Sequence, residues 1–390
     1  AAGDTPPGAA TLHAGGELAR MDVQATLRGV PRGRRPAPEA DLRAELRPFA
    51  AWPLGALHAQ TQALDLAALS PQAPQTRLHG RAELRSSAAD APLTASVVLE
   101  NLLPGRWNEA RLPLRRLALE LRGQLDQRDR IEATRFELLL ADASATAGRV
   151  GGRALWQGHE LTLATEITDL LPQRLDGRAA AMTLAGPLTA TLRGLPSPDP
   201  AATGAPPPPE ARWQLELTGR LEGAPLPVRV AMQGQADDRR LVLSDVRLAS
   251  GAATAELAAT LQRLGGAGRA GSGGAAEWQL QTEGRIADFD PVPWWPGEAG
   301  SAWRRGPHRL SATWTLDARV PGDAAGQPAL AVLPRVAGNG TLRVVNSQLA
   351  GVPLAADLRL GYTRAAAPTA GSLQGTVTLG GNELVLDGRG

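Results

Sequence analysis

The chain contains no cysteine and no lysine. Without cysteine there is no thiol catalysis, no cysteine-ligated zinc, no iron–sulfur cluster and no disulfide framework. Without lysine there is no Walker-type phosphate loop and no Schiff-base chemistry. All 41 basic residues are therefore arginine, against 39 acids. With one tyrosine and no lysine, little titrates between histidine and arginine, so a charge excess of +2 holds the isoelectric point near 10.1. The acids are interleaved with the arginines, whereas a nucleic-acid binder gathers its positive charge on one face. Aromatic side chains are also scarce, with nine Trp, three Phe and one Tyr in 390 residues. A thick globular core wants more bulk than that. No run approaches the roughly 18–20 consecutive apolar residues of a membrane helix.

Gly (44) and Pro (32) are too frequent for long uninterrupted helices, while 43% hydrophobic residues is too many for a disordered chain. A period of two recurs from end to end. Leu117, Leu119 and Leu121 share one side of LPLRRLALELRG, opposite Arg116, Ala118, Glu120 and Arg122. The same alternation places Phe136, Leu138 and Leu140 together, then Leu161, Leu163 and Ile167, then Trp213, Leu215 and Leu217. It continues through Val228, Val230 and Met232, through Leu241, Leu243, Val246 and Leu248, and through Leu342 and Val344. Such segments predict strands with one apolar and one polar face. Gly and Asp turns separate them at hairpin spacing. Only TQALDLAALS suggests a helical turn. The chain reads as all-β, an elongated, curled repeat sheet forming an open trough, taco-like or solenoid-like, with an apolar inner face.

Two phrases repeat at longer range. Strands follow a proline anchor at Pro113, Pro227 and Pro353, spaced 114 and 126 residues apart. A short apolar–Asp segment precedes a proline in LDLAALSP, ITDLLP and IADFDP. Residues 195–210 and 264–276 are Pro- or Gly-rich insertions that predict flexible loops. Residues 288–314 form a Trp/Pro-rich corner that includes Trp294, Trp295, Trp303 and Trp314. The whole of 1–390 reads as one continuous β-repeat segment of a longer protein.

Motifs that would carry catalysis lack their context. Gly266, Gly268 and Gly271 match a dinucleotide fingerprint, with Asp288 where a ribose carboxylate would stand, but a linker and a strand follow instead of a helix. Ser272 approximates a nucleophile elbow in the same linker. His13, His58, His79, His159 and His308 are scattered singly and read as exposed turn or edge residues. The arginine doublets 34/35, 115/116, 239/240 and 304/305 read as solvated faces and turns. The Trp corner reads as a proline-stiffened plug on one edge of the sheet. No metal ligands, cofactor or catalytic residues are nominated, and the chain is not expected to be an enzyme.

The order of RPFAAWPLGALHAQTQALDLAALSPQAPQTRLHGRAEL, LENLLPGRWNEARLPLRRLALELRG, FDPVPWWPG with RRGPHRL, and NSQLAGVPLAADLRL resembles the TamB family. These translocation and assembly module subunits belong to the AsmA-like group of bacterial envelope proteins. The likeness runs from about residue 40 to the last residue. It implies a periplasmic protein of the cell envelope, held to the inner membrane by an anchor outside this chain. It further implies a conduit moving phospholipids between the inner and outer membranes, and an outer-membrane partner, TamA, in outer-membrane protein assembly. The implied functional surface is the trough lining, which maps onto the alternating apolar positions named above. The rival readings are a scaffold that pairs with unfolded β-strands and a carbohydrate-active β-solenoid enzyme.

Overall fold

Period-two alternation becomes antiparallel strand pairing throughout, and the fold is all-β. The computed structural model describes residues 8–29, 37–50, 53–70, 73–86, 92–124, 127–199, 205–222, 224, 226–264, 277–295, 298, 300–301, 304, 306–321, 337–363 and 370–389. They group into two compact units, 1–207 and 208–390, and the division falls inside the proline-rich insertion.

The first unit holds β1 (Gly8–Glu17), β2 (Arg20–Gly29), β3 (Glu39–Leu46), β4 (Leu54–Leu64), β5 (Leu78–Ser86), β6 (Leu93–Asn101), β7 (Leu114–Gln124), β8 (Gln127–Ala141), β9 (Thr146–Gln157), β10 (Glu160–Leu170) and β11 (Met182–Arg193). Each pairs antiparallel with the next in sequence, a meander. The second unit holds β12 (Glu210–Leu221), β13 (Pro227–Asp237), β14 (Arg240–Ser250), β15 (Ala253–Leu264), β16 (Glu277–Phe289), β17 (Leu310–Pro321), β18 (Ala337–Leu349), β19 (Val352–Thr363), β20 (Ala370–Leu379) and β21 (Asn382–Arg389), paired in the same way. Tight turns make this possible. Ala350 and Gly351 (φ 52° and 77°) join β18 to β19 in a two-residue loop whose left-handed backbone matches the strand twist.

The recurring phrases mark a six-strand repeat. β4, β10 and β16 each carry a bulge near their end, between Thr61 and Leu64, Ile167 and Leu170, and Ile286 and Phe289. In each, one inserted residue is left-handed: Ala63, Asp169 and Asp288, at φ 53°, 49° and 50°. Asn346 (φ 50°) repeats the device in β18. A helical turn follows each of the first two bulges, α1 (Leu66–Leu69) and α2 (Pro172–Leu175). A turn follows the third, where the Trp294 and Trp295 N–H groups donate to the Pro291 carbonyl at 3.1 and 2.9 Å. Pro113, Pro227 and Pro353 stand at the starts of β7, β13 and β19, again six strands apart.

Residues 265–276, with Gly266, Gly268, Gly271 and Ser272, lie outside the described residues, as do Arg34, Arg35, Trp303 and Arg305.

Candidate functional site

Residues directly opposite in an antiparallel pair point to the same face, so the register fixes which side chains share a surface. In the first unit, Leu57, Leu84, Ala95, Leu121, Ala133, Ala154, Leu163 and Ala190 form one unbroken row across β4 to β11. The adjacent rows on this face hold Leu119, Phe136, Thr165 and Leu188, then Leu117, Leu138, Val150 and Ile167. Leu161 stands opposite Trp156 and Leu192, and Leu140 stands opposite Leu114. In the second unit, Leu215, Met232, Val246, Leu257, Gly284, Trp314, Leu342 and Leu358 make a row across β12 to β19. Leu217 continues through Val230, Leu248, Ala255, Ile286, Ala312 and Val344. Trp213 lines up with Gly234 and Leu243, Gly219 with Val228, and Ala236 with Leu241. Every apolar position that the strand alternation singled out thus falls on one face of its own unit.

This face is half-covered. Phe136, Ile167, Leu217 and Val228 are buried, but Leu117, Leu119, Leu121, Leu138, Leu140, Leu161, Leu163, Leu215, Val230, Leu241, Leu243, Leu342 and Val344 are only half-buried. Their neighbours on the opposite face, Arg116, Glu120, Arg122, Glu166 and Glu216, are exposed. Two of the indoles pack against cross-strand glycines: a Cβ at Gly234 would overlap the Trp213 ring, and one at Gly284 the Trp314 ring.

One end of the strands is stapled by polar groups. Among the described residues, buried Thr76, Asn101 and Asp142 stand at the end of the first unit that carries α1 and α2, with Ser86 at the other end, and buried Ser250, His308 and Ser347 stand at the end of the second unit that carries the Trp corner. Asp65 caps α1, accepting from the N–H groups of Ala67 and Thr76 at 3.2 and 3.0 Å. The Asn101 side-chain oxygen accepts from Arg77 and Leu103, both at 3.1 Å. Asp142 closes the β8–β9 loop by accepting from the N–H groups of Ser144 and Ala145 and from the Ser144 hydroxyl, at 2.8–2.9 Å. Arg174, at 3.3 Å, and Arg106, at 3.8 Å, approach its other oxygen. Burial pushes the Asp142 carboxyl up, but these hydrogen bonds and the Arg174 charge outweigh it and hold the group at about 2. Sequence reasoning passed over this network. In the second unit the structure corrects one expectation: His308 is buried, not exposed, and its Nδ1 accepts from the Ala350 N–H at 3.1 Å, fastening the Trp corner to the β18–β19 turn. Trp294 is buried there against Phe289, with ring centroids 5.8 Å apart, while Trp295 stays half-exposed.

The polar face also has relief. A groove of about 690 Å³ touches three consecutive residues on each of β14 to β18 and two on β19. It reaches neither the preceding nor the following apolar positions of those strands, so it opens on the polar face. Its floor is the backbone of Leu243, Ala259, Thr282, Leu316, Gly340 and Leu360. A groove of about 530 Å³ runs beside it and shares the Ser244, Ala258, Glu283 and Thr315 wall.

Among the described residues no cluster of three His, Asp or Glu is placed to hold a metal ion, and no helix is long and apolar enough to cross a membrane. No family model, curated protein or solved structure matches the chain.

Proposed function

We propose that the apolar face of each unit binds phospholipid acyl chains, and that the chain is a segment of a TamB-like periplasmic conduit working between the inner and outer membranes. The observation that carries this reading is the set of register-aligned apolar rows left only half-buried. Contiguous apolar surface beyond a few hundred Å² is rarely left uncovered on a protein that binds nothing. A lipid methylene gains about 0.8 kcal/mol where such a surface buries it fully. Apolar residues continue from strand to strand along each row, so in this reading a chain moving along the face keeps apolar contact throughout. In this reading assembly with the outer-membrane partner TamA is a consequence of position in the envelope, and no catalytic step is involved.

The test is photocrosslinking in the cell envelope, with probes at Leu119, Leu163 and Leu217 and controls at Arg116, Glu166 and Glu216. Phospholipid adducts confined to the first set are expected. Protein adducts without lipid would favour the strand-binding scaffold instead, and equal lipid labelling at both sets would refute the assignment of the face. Leu119 and Leu163 are only half-buried, so Leu119→Arg and Leu163→Arg are expected to block transport while the protein accumulates at normal levels. Full envelope integrity in those variants would sink the proposal.

A further inference from the structure

We propose that the polar face of the second unit carries a second binding site, a groove for an uncharged, hydroxyl-rich polymer, namely a glycan chain laid across the strands. One wall is Val242, Thr260, Gln281, Asp317 and Asn339, and the other is Ser244, Ala258, Glu283, Thr315, Thr341 and Arg359. The chemistry of this strip differs from the rest of the polar face. Beside it that face is laced by arginine–carboxylate pairs, Arg285–Glu256 at 2.8 Å and Arg247–Asp245 at 2.9 Å. Among the described residues no ion pair joins the two walls. Hydroxyls and amides replace them, and the side chains of Thr260, Glu283, Asn339 and Arg359 have no hydrogen-bond or ion-pair partner among the described residues. Donors and acceptors therefore stand unused along both sides of one channel.

Its dimensions select the ligand class. Neighbouring strands lie about 4.8 Å apart, so β14 to β19 span about 24 Å, and the walls, two residues apart along each strand, are separated by about 6.7 Å. An extended β-linked sugar chain advances by close to one strand spacing per residue, so each sugar meets an equivalent pair of wall residues. An extended peptide advances by about 3.4 Å per residue and falls out of step. Polyphosphate backbones are disfavoured by Glu283 and Asp317, which face the channel with Arg359 as the one guanidinium among the lining residues. Sugar hydroxyls both donate and accept, as the exposed carboxylates, amides and hydroxyls require. The site lies on the face opposite the apolar rows and does not depend on how those rows are used.

The experiment is calorimetric titration of the full chain with soluble β-1,4-linked N-acetylglucosamine oligomers. The hexamer is expected to bind about tenfold or more tighter than the dimer, because it reaches more strands. Glu283→Ala and Asn339→Ala are each expected to weaken the hexamer about fivefold, with the circular dichroism melt unchanged, since both side chains are exposed. Thr341→Val, isosteric and also exposed, gives the same reading should either alanine variant melt early. Gln60→Ala, on the polar face of the first unit, is expected to leave binding unchanged. The proposal is overturned if the hexamer gives no heat at millimolar concentration, if dimer and hexamer bind alike, or if all three groove variants bind as the parent does. It is equally overturned if a Ser/Thr-rich extended peptide binds and the hexamer does not.

Discussion

At the scale of single residues, Asp142 is a buried carboxylate whose charge stabilises the fold. Its carboxyl sits near 2 in the folded chain against an ordinary value of 3.8. The lowered value means that the ionised form stabilises the fold. That contribution is complete above about pH 5 and disappears as the pH falls through about 2. Asp142→Asn is therefore expected to cost about 2 kcal/mol at pH 7 in urea denaturation, with the gap to the parent closing towards pH 2. A gap that stays constant from pH 7 to pH 2 would show that packing, not charge, carries the effect. Half of this network was readable in the sequence, because Asp-Ala-Ser is a local pattern for a carboxylate accepting from the backbone two residues on. The other half was not, because Arg106 and Arg174 reach Asp142 from separate connections, 36 and 32 residues away along the chain. His308 failed for the same reason: its burial depends on a partner N–H 42 residues further on.

At the scale of elements, the recurring apolar–Asp phrase was visible as a repeat, but its physical content, a bulge with one left-handed residue, was not. A left-handed backbone costs an ordinary L-residue about 1–2 kcal/mol and is tolerated best by Gly, Asn and Asp. Asp169, Asp288 and Asn346 fit that preference, and Ala63 does not. Asp169→Val is expected to destabilise the first unit by at least 1–2 kcal/mol, about that penalty, whereas Asp169→Gly and Asp169→Asn should lie within about 0.5–1 kcal/mol of the parent. Equal losses for Val and Asn would place the cost in the Asp169 side chain and not in its backbone. A separate bulge, without a left-handed residue, explains why Val246 and Leu248 keep to the apolar face after Leu241 and Leu243. β14 shifts register between Leu243 and Val246, absorbing the odd spacing that the sequence displays.

At the scale of the whole molecule, alternation told which side chains share a face, and pairing register told which of them meet. The apolar face was legible because a period of two needs no partner to be seen. The groove on the opposite face was not, because its walls exist only once Glu283, Thr315 and Thr341 are brought side by side from three strands. If acyl chains occupy the apolar rows, a monomeric lysophospholipid binds the folded chain and not the unfolded one. At a hundredfold excess over its dissociation constant it adds about 2.7 kcal/mol of stability. For units of this size that is a rise of roughly 5–10 °C in melting temperature. The parent and Glu166→Gln, altered only on the exposed face, are expected to show the full rise. A Leu119→Arg, Leu163→Arg double variant is expected to lose at least half of it for the first unit, because two guanidinium groups then interrupt adjacent rows. The same rise in all three proteins would mean that the amphiphile binds somewhere other than these rows, and the acyl-chain reading of the face would fall with it.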